Sequence, residues 1–147
     1  MSLSRGQSIV ETVIAAGLIS IAVIAALSLS IRSQKQSTYA RKQDEATKYA
    51  TQALDWFRTM RSNSGWSTLA DLDEGTYCLN TLPIDVSQLS VGDCSPDDYV
   101  PGTQYQRSIV LDTSTQASGT LKATITVSWY DNALRQTTIE MELSQWR

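Results

Sequence analysis

Residues 9–31, IVETVIAAGLISIAVIAALSLSI, decide the fold of this chain. Glu11 is the only charge among them, and most of the others are Ile, Val, Ala and Leu. As a helix rising about 1.5 Å per residue, they cover roughly 34 Å, enough to cross a hydrocarbon layer of about 30 Å. The run is too long for the apolar core of an ordinary cleaved secretory signal. A small soluble domain would also have too little protein to cover a helix that is apolar on every face. We therefore predict a transmembrane helix.

The helix is predicted to continue beyond the apolar run. Residues 32–61 contain no Gly or Pro and are rich in Ala, Gln, Lys and Arg, which favour helices. Asn63, Ser64 and Gly65 predict where it ends. We assign residues 7–31 to the transmembrane half and residues 32–64 to an amphipathic half. Spacings of three, four and seven place the apolar and aromatic residues of the second half on one stripe: Tyr39, Ala46, Tyr49, Ala50, Ala53, Leu54, Phe57 and Met60.

The remainder predicts a loop-rich connection over residues 65–103 and a sheet over residues 104–147. Gly and Pro recur through the connection, where residues 76–79 could form a short strand. Residues 105–111 form one strand candidate of the sheet, Ser118 and Gly119 a turn, and Asp131 and Asn132 another turn. Apolar residues alternate with polar ones in the two strands that follow: Leu121, Ala123, Ile125, Val127 and Trp129, then Ile139, Met141 and Leu143. The predicted fold class is α+β, a long N-terminal helix packed on a small C-terminal antiparallel sheet.

Composition excludes several classes of function. The 147 residues carry a formal net charge of −3, which disfavours non-specific binding of nucleic acid. Histidine is absent, so Ser-His-Asp triads, Cys-His pairs and His-based zinc sites are excluded. The spacing of acidic residues favours no hydrolytic pair. We expect a protein that is not an enzyme and has no cofactor.

The start of the chain carries a specific pattern. Gly6-Gln7-Ser8-Ile9-Val10-Glu11 follows a short leader, residues 1–6, and opens the apolar run. This arrangement resembles the class III signal sequence of type IV prepilins, the precursors of pilins and pseudopilins. The likeness covers about the first thirty residues in sequence and the whole chain in architecture. Gln7 stands where the family most often has Phe. Major pilins of the family often carry a helix-softening Pro or Gly in the apolar segment, whereas here Gly17 is the only Gly in the run and no Pro precedes Pro83, which favours a minor pilin or a pseudopilin.

The resemblance implies a processing step and an assembly mechanism. A prepilin peptidase would cut between Gly6 and Gln7, and the new amino terminus on Gln7 would be methylated. Glu11 would then form an assembly salt bridge with that amine on a neighbouring subunit. The bland alternative is a tolerated charge near the membrane edge. The implied partners are other pilin subunits, the peptidase, inner-membrane assembly machinery and lipid, in a type IV pilus or a type II secretion pseudopilus.

The cations around the apolar run conflict with export of the polar part. Four of them follow the run, Arg32, Lys35, Arg41 and Lys42, and Arg5 precedes it. The positive-inside rule alone would keep residues 32–147 in the cytoplasm. The resemblance implies a leader cut on the cytoplasmic face, and the cysteines suit an oxidising compartment. We expect a single-pass inner-membrane protein with an extracytoplasmic C-terminal part. The basic cluster is either a solvated helix face or a contact with anionic lipid or acidic neighbours.

Three further groups of residues invite interpretation. Cys78 and Cys94 either form a disulfide, worth roughly 3 kcal/mol in the chain-entropy model, or remain free thiols. Calcium could bind the acidic turns, but neither completes an EF-hand loop and solvated turns are the favoured interpretation: Asp71, Asp73 and Glu74, and Asp97 and Asp98. Trp56, Trp66, Trp129 and Trp146 predict core or subunit contacts rather than an adhesive surface, with Trp146 the best interface candidate.

One other class of function fits the same features. A membrane-anchored binding head, such as an adhesin, a DNA-uptake tip subunit or a sensor, would share the helix and the sheet. A basic surface would favour DNA binding, and the C-terminal sequence shows none.

Overall fold

The computed structural model describes residues 4–114 and 119–145. Residues 1–3 of the leader, the predicted turn residue Ser118 and the interface candidate Trp146 lie outside these ranges. The predicted α+β fold is confirmed, because a long N-terminal helix packs on an antiparallel sheet of strand order β1-β2-β3-β4. The elements are α1 Ser4–Ala70, β1 Gly75–Cys78, a 3₁₀ turn Val86–Gln88, β2 Tyr105–Asp112, β3 Thr120–Tyr130 and β4 Leu134–Ser144. The chain divides into two compact units, residues 1–42 and residues 43–147, and we call the second unit the head.

Within the head, α1 contributes a stripe of small and large apolar residues to the core. Ala46, Ala50, Ala53 and Phe57 are fully buried, and Leu54 and Met60 nearly so. Their spacing matches the helical period, so they share one face. Alanine at three of these positions has a short side chain, so the helix backbone can lie close to the sheet. Tyr39 and Tyr49 of the predicted stripe are only half-buried.

The helix is interrupted at Gly65, where the sequence predicts its end, and a short helical turn that was not predicted follows. Gly65 has φ of 81° and ψ of 165°, outside the helical region, and helical structure then resumes as far as Ala70. Glycine tolerates this positive φ at little cost. The extra turn buries Leu69 completely. We infer that burial of Leu69 stabilises the turn that the sequence prediction left out.

The sheet buries one face. Apolar residues on its inner side pair directly across neighbouring strands, with Ile109 opposite Ile125 and Leu111 opposite Ala123. Ile125 in turn lies opposite Ile139 of β4. The alternation predicted for β3 is confirmed, since Leu121, Ala123, Ile125, Val127 and Trp129 are all buried. The predicted turn at Asp131 and Asn132 is also present, with Asn132 at φ of 57°, and β1 forms at the short strand predicted near residue 76.

Arg107 is a buried cation between the helix and the sheet. It lies on the inner face of β2 and is 2% exposed. Its Nε donates to Leu79 O at 2.8 Å, and its Nη1 donates to Tyr49 O and Gln52 Oε1, each at 3.0 Å. Burial lowers the pKa of Arg107 to about 10, so the guanidinium remains charged at neutral pH. A buried charge requires such partners, and these three oxygens hold the helix, β2 and the chain after β1 together.

Tyr105 makes a second polar connection between α1 and the sheet. Its hydroxyl donates to Glu45 Oε2 at 2.9 Å. The centroid of its ring lies 5.3 Å from the ring centroid of Tyr49 and 5.9 Å from that of Trp129. Burial, followed by the hydrogen bond to Glu45, raises the pKa of Tyr105 to about 12. The phenol therefore stays protonated and can donate to the carboxylate throughout the physiological pH range.

Arg107→Lys is expected to lower the free energy of unfolding of the head by about 1–3 kcal/mol. The planar guanidinium donates to Leu79 O and to two oxygens of α1 at once. A lysine ammonium cannot make all these bonds, so buried oxygens would be left without donors. Urea unfolding of the full chain in detergent micelles, followed by tryptophan fluorescence, measures the change. Arg58→Lys is the matched control, because Arg58 is 60% exposed beside Asp55 and its replacement should change stability by less than about 0.5 kcal/mol. Equal stabilities of the two variants would contradict this role of Arg107.

Candidate membrane and assembly segment

The apolar run is helical and exposed along its whole length. The side chains of residues 9–38 are all exposed. The twelve large aliphatic side chains between Ile9 and Ile31 range from 51% exposed at Val23 to 68% at Leu29. The helix is long and apolar enough to cross a membrane. Since exposed apolar area of this size is rare on soluble monomers, the segment needs an apolar environment from outside the chain.

Three of the four hydroxyl groups in residues 9–31 bond to backbone carbonyls within the helix. Thr12 Oγ1 donates to Ile9 O at 2.8 Å, Ser20 Oγ to Ala16 O at 2.8 Å and Ser28 Oγ to Ile24 O at 2.9 Å. Hydrocarbon offers no partner to a polar group, so hydroxyls that enter it must bond internally. These three are therefore compatible with an apolar surrounding.

Glu11 is the one ionisable group of the segment. Helical neighbours lie three or four residues away, and at those distances the sequence has Gln7, Ser8, Ile14 and Ala15, none of which is a cation. In the part of the chain that the structure describes, no cation forms an ion pair with Glu11. Its carboxylate is exposed and open to a cation from another molecule.

The predicted processing site lies in the first turns of α1. The backbone of Gly6 and Gln7 is helical, and their side chains lie outside what the structure describes. Gly17 is also helical, and no atom lies within 4 Å of where its Cβ would be. Over residues 9–64 the described backbone stays helical, with Gly65 the residue that departs. The apolar run and the head thus share one continuous helix.

The basic cluster that follows the apolar run is also solvent-facing. Arg32, Lys35 and Arg41 are exposed and Lys42 is half-buried. Their stretch of helix contains no acidic residue between Glu11 and Asp44. The geometry suits either a solvated face or a contact with anionic groups, as the sequence indicates.

Cys78 and Cys94 form a disulfide, with Cα atoms 4.8 Å apart. The bridge lies beside an added rung of the sheet, in which Gly92 N donates to Thr76 O at 2.8 Å and Val91 pairs with Tyr77. A Cβ on Gly75 would lie 2.9 Å from Val91 Cγ1, so glycine permits this approach. The disulfide loop therefore covers the outer edge of β1, which would otherwise be an open strand edge.

The three tryptophans that the structure describes lie in the core and its margins rather than on an open surface. Trp129 is 2% exposed, and Trp56 is half-buried, with its Nε1 donating to Pro83 O at 2.8 Å. Trp66 is half-buried. Trp56 thereby attaches the disulfide loop to the helix.

The acidic turns do not converge on one point. Within residues 4–114 and 119–145, no three acidic or cysteine side chains are grouped closely enough to hold a metal ion. Asp73 and Asp98 use their backbone oxygens structurally, accepting from Tyr77 and Asn80 at 2.7 Å each. The calcium interpretation gains no support from this arrangement.

Neither the burial of Arg107 nor the aromatic surface formed by Tyr99 and Tyr130 was predicted from sequence patterns. A signal for Arg107 was present, because it is in phase with Ile109 and Leu111 on the inner face of β2. The tyrosines belong to separate segments that only the folded head brings together. Comparisons with protein-family models, with curated proteins and with solved structures found no match.

Replacing both cysteines, Cys78→Ser with Cys94→Ser, is expected to lower the free energy of unfolding of the head by roughly 3 kcal/mol, because the open loop gains entropy in the unfolded chain. Urea unfolding of the full chain in micelles measures this loss. Reductant should destabilise the parent by a similar amount and leave the double variant unchanged. A parent that is insensitive to reductant would contradict a stabilising bridge.

Proposed function

We propose that this chain is a minor pilin or pseudopilin, a structural rather than catalytic subunit of a type IV pilus or type II secretion pseudopilus. The observation that carries the proposal is the exposed apolar run with a single acid, continuous with the helix of a small α+β head. The resemblance of residues 6–11 to a prepilin cleavage site supports the same function. Cleavage between Gly6 and Gln7 and methylation of Gln7 are parts of this proposal.

The apolar run would serve two environments in turn. Before assembly, the lipid of the inner membrane would surround it, because its length and composition match a hydrocarbon layer. After assembly, the runs of neighbouring subunits would surround it. Small residues allow helices to approach closely without lipid or water between them, and the run contains them at Ala15, Ala16, Gly17, Ala25 and Ala26.

Glu11 would set the register between subunits. Cleavage after Gly6 creates an amine on Gln7, a cation that a neighbour can bring to Glu11. In an apolar bundle the attraction between these charges is large, and a charge left without a partner is strongly penalised. Such a pair favours one axial position of each helix over its alternatives, whereas apolar contacts alone discriminate weakly between them.

The transmembrane run would determine on which side of the membrane the head lies. The head would be extracytoplasmic, an assignment that the Cys78–Cys94 disulfide supports because such bonds persist in oxidising compartments. The proposed partners are other pilin subunits, prepilin peptidase, the inner-membrane assembly machinery and membrane lipid.

Glu11→Ala is expected to leave membrane insertion intact and to lower the amount of the chain in sheared filaments by roughly tenfold or more. Removing one member of a buried ion pair costs about 3–5 kcal/mol, more than the 1.4 kcal/mol that a tenfold change requires. Immunoblots of membrane and sheared-filament fractions from the native host measure both quantities. Glu11→Gln should behave as Glu11→Ala does, because it keeps the size and removes the charge.

Asp44→Ala is the matched control on the same helix. Asp44 forms an exposed pair with Lys48, so its loss should not change assembly. Filament incorporation of Glu11→Ala at the parental level would remove Glu11 from the mechanism. Absence of the parent chain from filaments would refute the proposed function itself.

A further inference from the structure

A surface groove of about 430 Å³ lies on the head, where the loop before β2 meets the ends of β2, β3 and β4. Tyr99, Gln106, Ser128, Tyr130 and Leu134 are among its lining residues. Binding sites for small ligands usually have volumes of roughly 300–1,000 Å³. The groove therefore has the volume of a small-ligand site.

The groove concentrates the exposed apolar surface of the head. Tyr130 is 70% exposed, Leu134 71% and Tyr99 44%. The described head exposes six large apolar side chains: Ile84, Val91, Tyr99, Val110, Tyr130 and Leu134. Three of the six line this groove. Clustered exposure of this kind marks a binding surface more often than scattered exposure does.

Hydrogen bonds fix the loop that forms one wall. Gln106 Nε2 donates to Ser95 O at 2.9 Å and to Pro96 O at 3.1 Å. Val100 N donates to Tyr105 O at 2.8 Å, and the buried Asn80 donates to Asp98 O. The wall that carries Tyr99 is therefore held in place before any ligand arrives, which lowers the ordering cost of binding. Gln106 keeps its amide oxygen as a hydrogen-bond acceptor.

The lining is neutral in a head that is otherwise acidic. Every lining side chain in the described residues is uncharged, so the groove offers no cation to a phosphate, a sulfate or a nucleic acid. A smaller hollow of about 170 Å³ adjoins it, sharing Gln106 and Ser128 and including Asp93 and Arg107. The guanidinium of Arg107 is buried and donates to oxygens of the core, which leaves Asp93 as the exposed charge of this hollow. The carboxylate of Asp93 would accept hydrogen bonds and repel an anion. The two hollows together select for a ligand without negative charge.

We propose that this groove binds a neutral sugar at the end of an oligosaccharide. A pyranose ring presents an apolar face of C–H groups and an edge of hydroxyls. The rings of Tyr99 and Tyr130 supply flat apolar surfaces with a polar tip. The amide oxygen of Gln106 supplies an uncharged acceptor, and the hydroxyl of Ser128 can donate and accept. The adjoining hollow extends the site for a second sugar. This inference is independent of filament assembly, because it uses only residues of the head.

The test is a glycan array probed with the labelled full chain, in a zwitterionic detergent that has no sugar headgroup. Binding of at least one neutral oligosaccharide, with sialylated and sulfated glycans unbound, is the expected result. Saturation-transfer NMR with the neutral disaccharide of the best array ligand should show ligand contact. Tyr130→Ala and Tyr99→Ala should each weaken binding by roughly tenfold, the effect of losing about 1.4 kcal/mol.

Ile84→Ala is the matched control, because Ile84 is 90% exposed and does not line the groove. It should bind as the parent does, and tryptophan fluorescence should show all three variants folded. The proposal is overturned if no neutral glycan binds at millimolar concentration, or if only charged glycans bind. It is likewise overturned if the tyrosine variants keep parental affinity, or if a proline-rich peptide binds the groove while sugars do not.

Discussion

The apolar surface of residues 9–31 is the constraint on which the rest of this molecule depends. Twelve large aliphatic side chains there are more than half exposed, and removing them from water is worth on the order of 20 kcal/mol. That gain far exceeds the cost of about 2.5–3.5 kcal/mol for a single acid placed at the centre of a membrane. The segment is therefore driven out of water despite Glu11. Because the described chain provides no cover, the surrounding lipid or neighbouring helices must do so.

The same helix meets an opposite requirement in the head. There its apolar residues form a single stripe, and the sheet covers them. Arg107 and Tyr105 add directional bonds to that non-directional packing, by holding Tyr49 O, Gln52 and Glu45 of α1. One continuous helix thus has a first part that depends on other molecules and a second part that is satisfied within the chain.

Local sequence patterns predicted most of the fold. The period of the helical stripe predicted burial of Ala46, Ala50, Ala53 and Phe57, and strict alternation predicted the inner face of β3. Both are short-range rules that tertiary contacts did not override. The break at Gly65 follows the predicted stop signal, but the helical turn after it was not predicted, because that turn depends on the burial of Leu69 in the core. The groove was equally hidden, since Tyr99 and Tyr130 are thirty-one residues apart and meet only through the placement of a loop. At the proposed assembly segment, Glu11 was identified because an isolated charge in an apolar run is visible in sequence.

The central claim is that the apolar run remains on a processed subunit whose new amine can meet Glu11 of a neighbour. The intact mass of the protein isolated from its native membranes tests this most directly. The account predicts a chain that has lost residues 1–6, begins at Gln7 and carries one added methyl group. A chain that retains residues 1–6, or one cut after the apolar run to release the head, would contradict it.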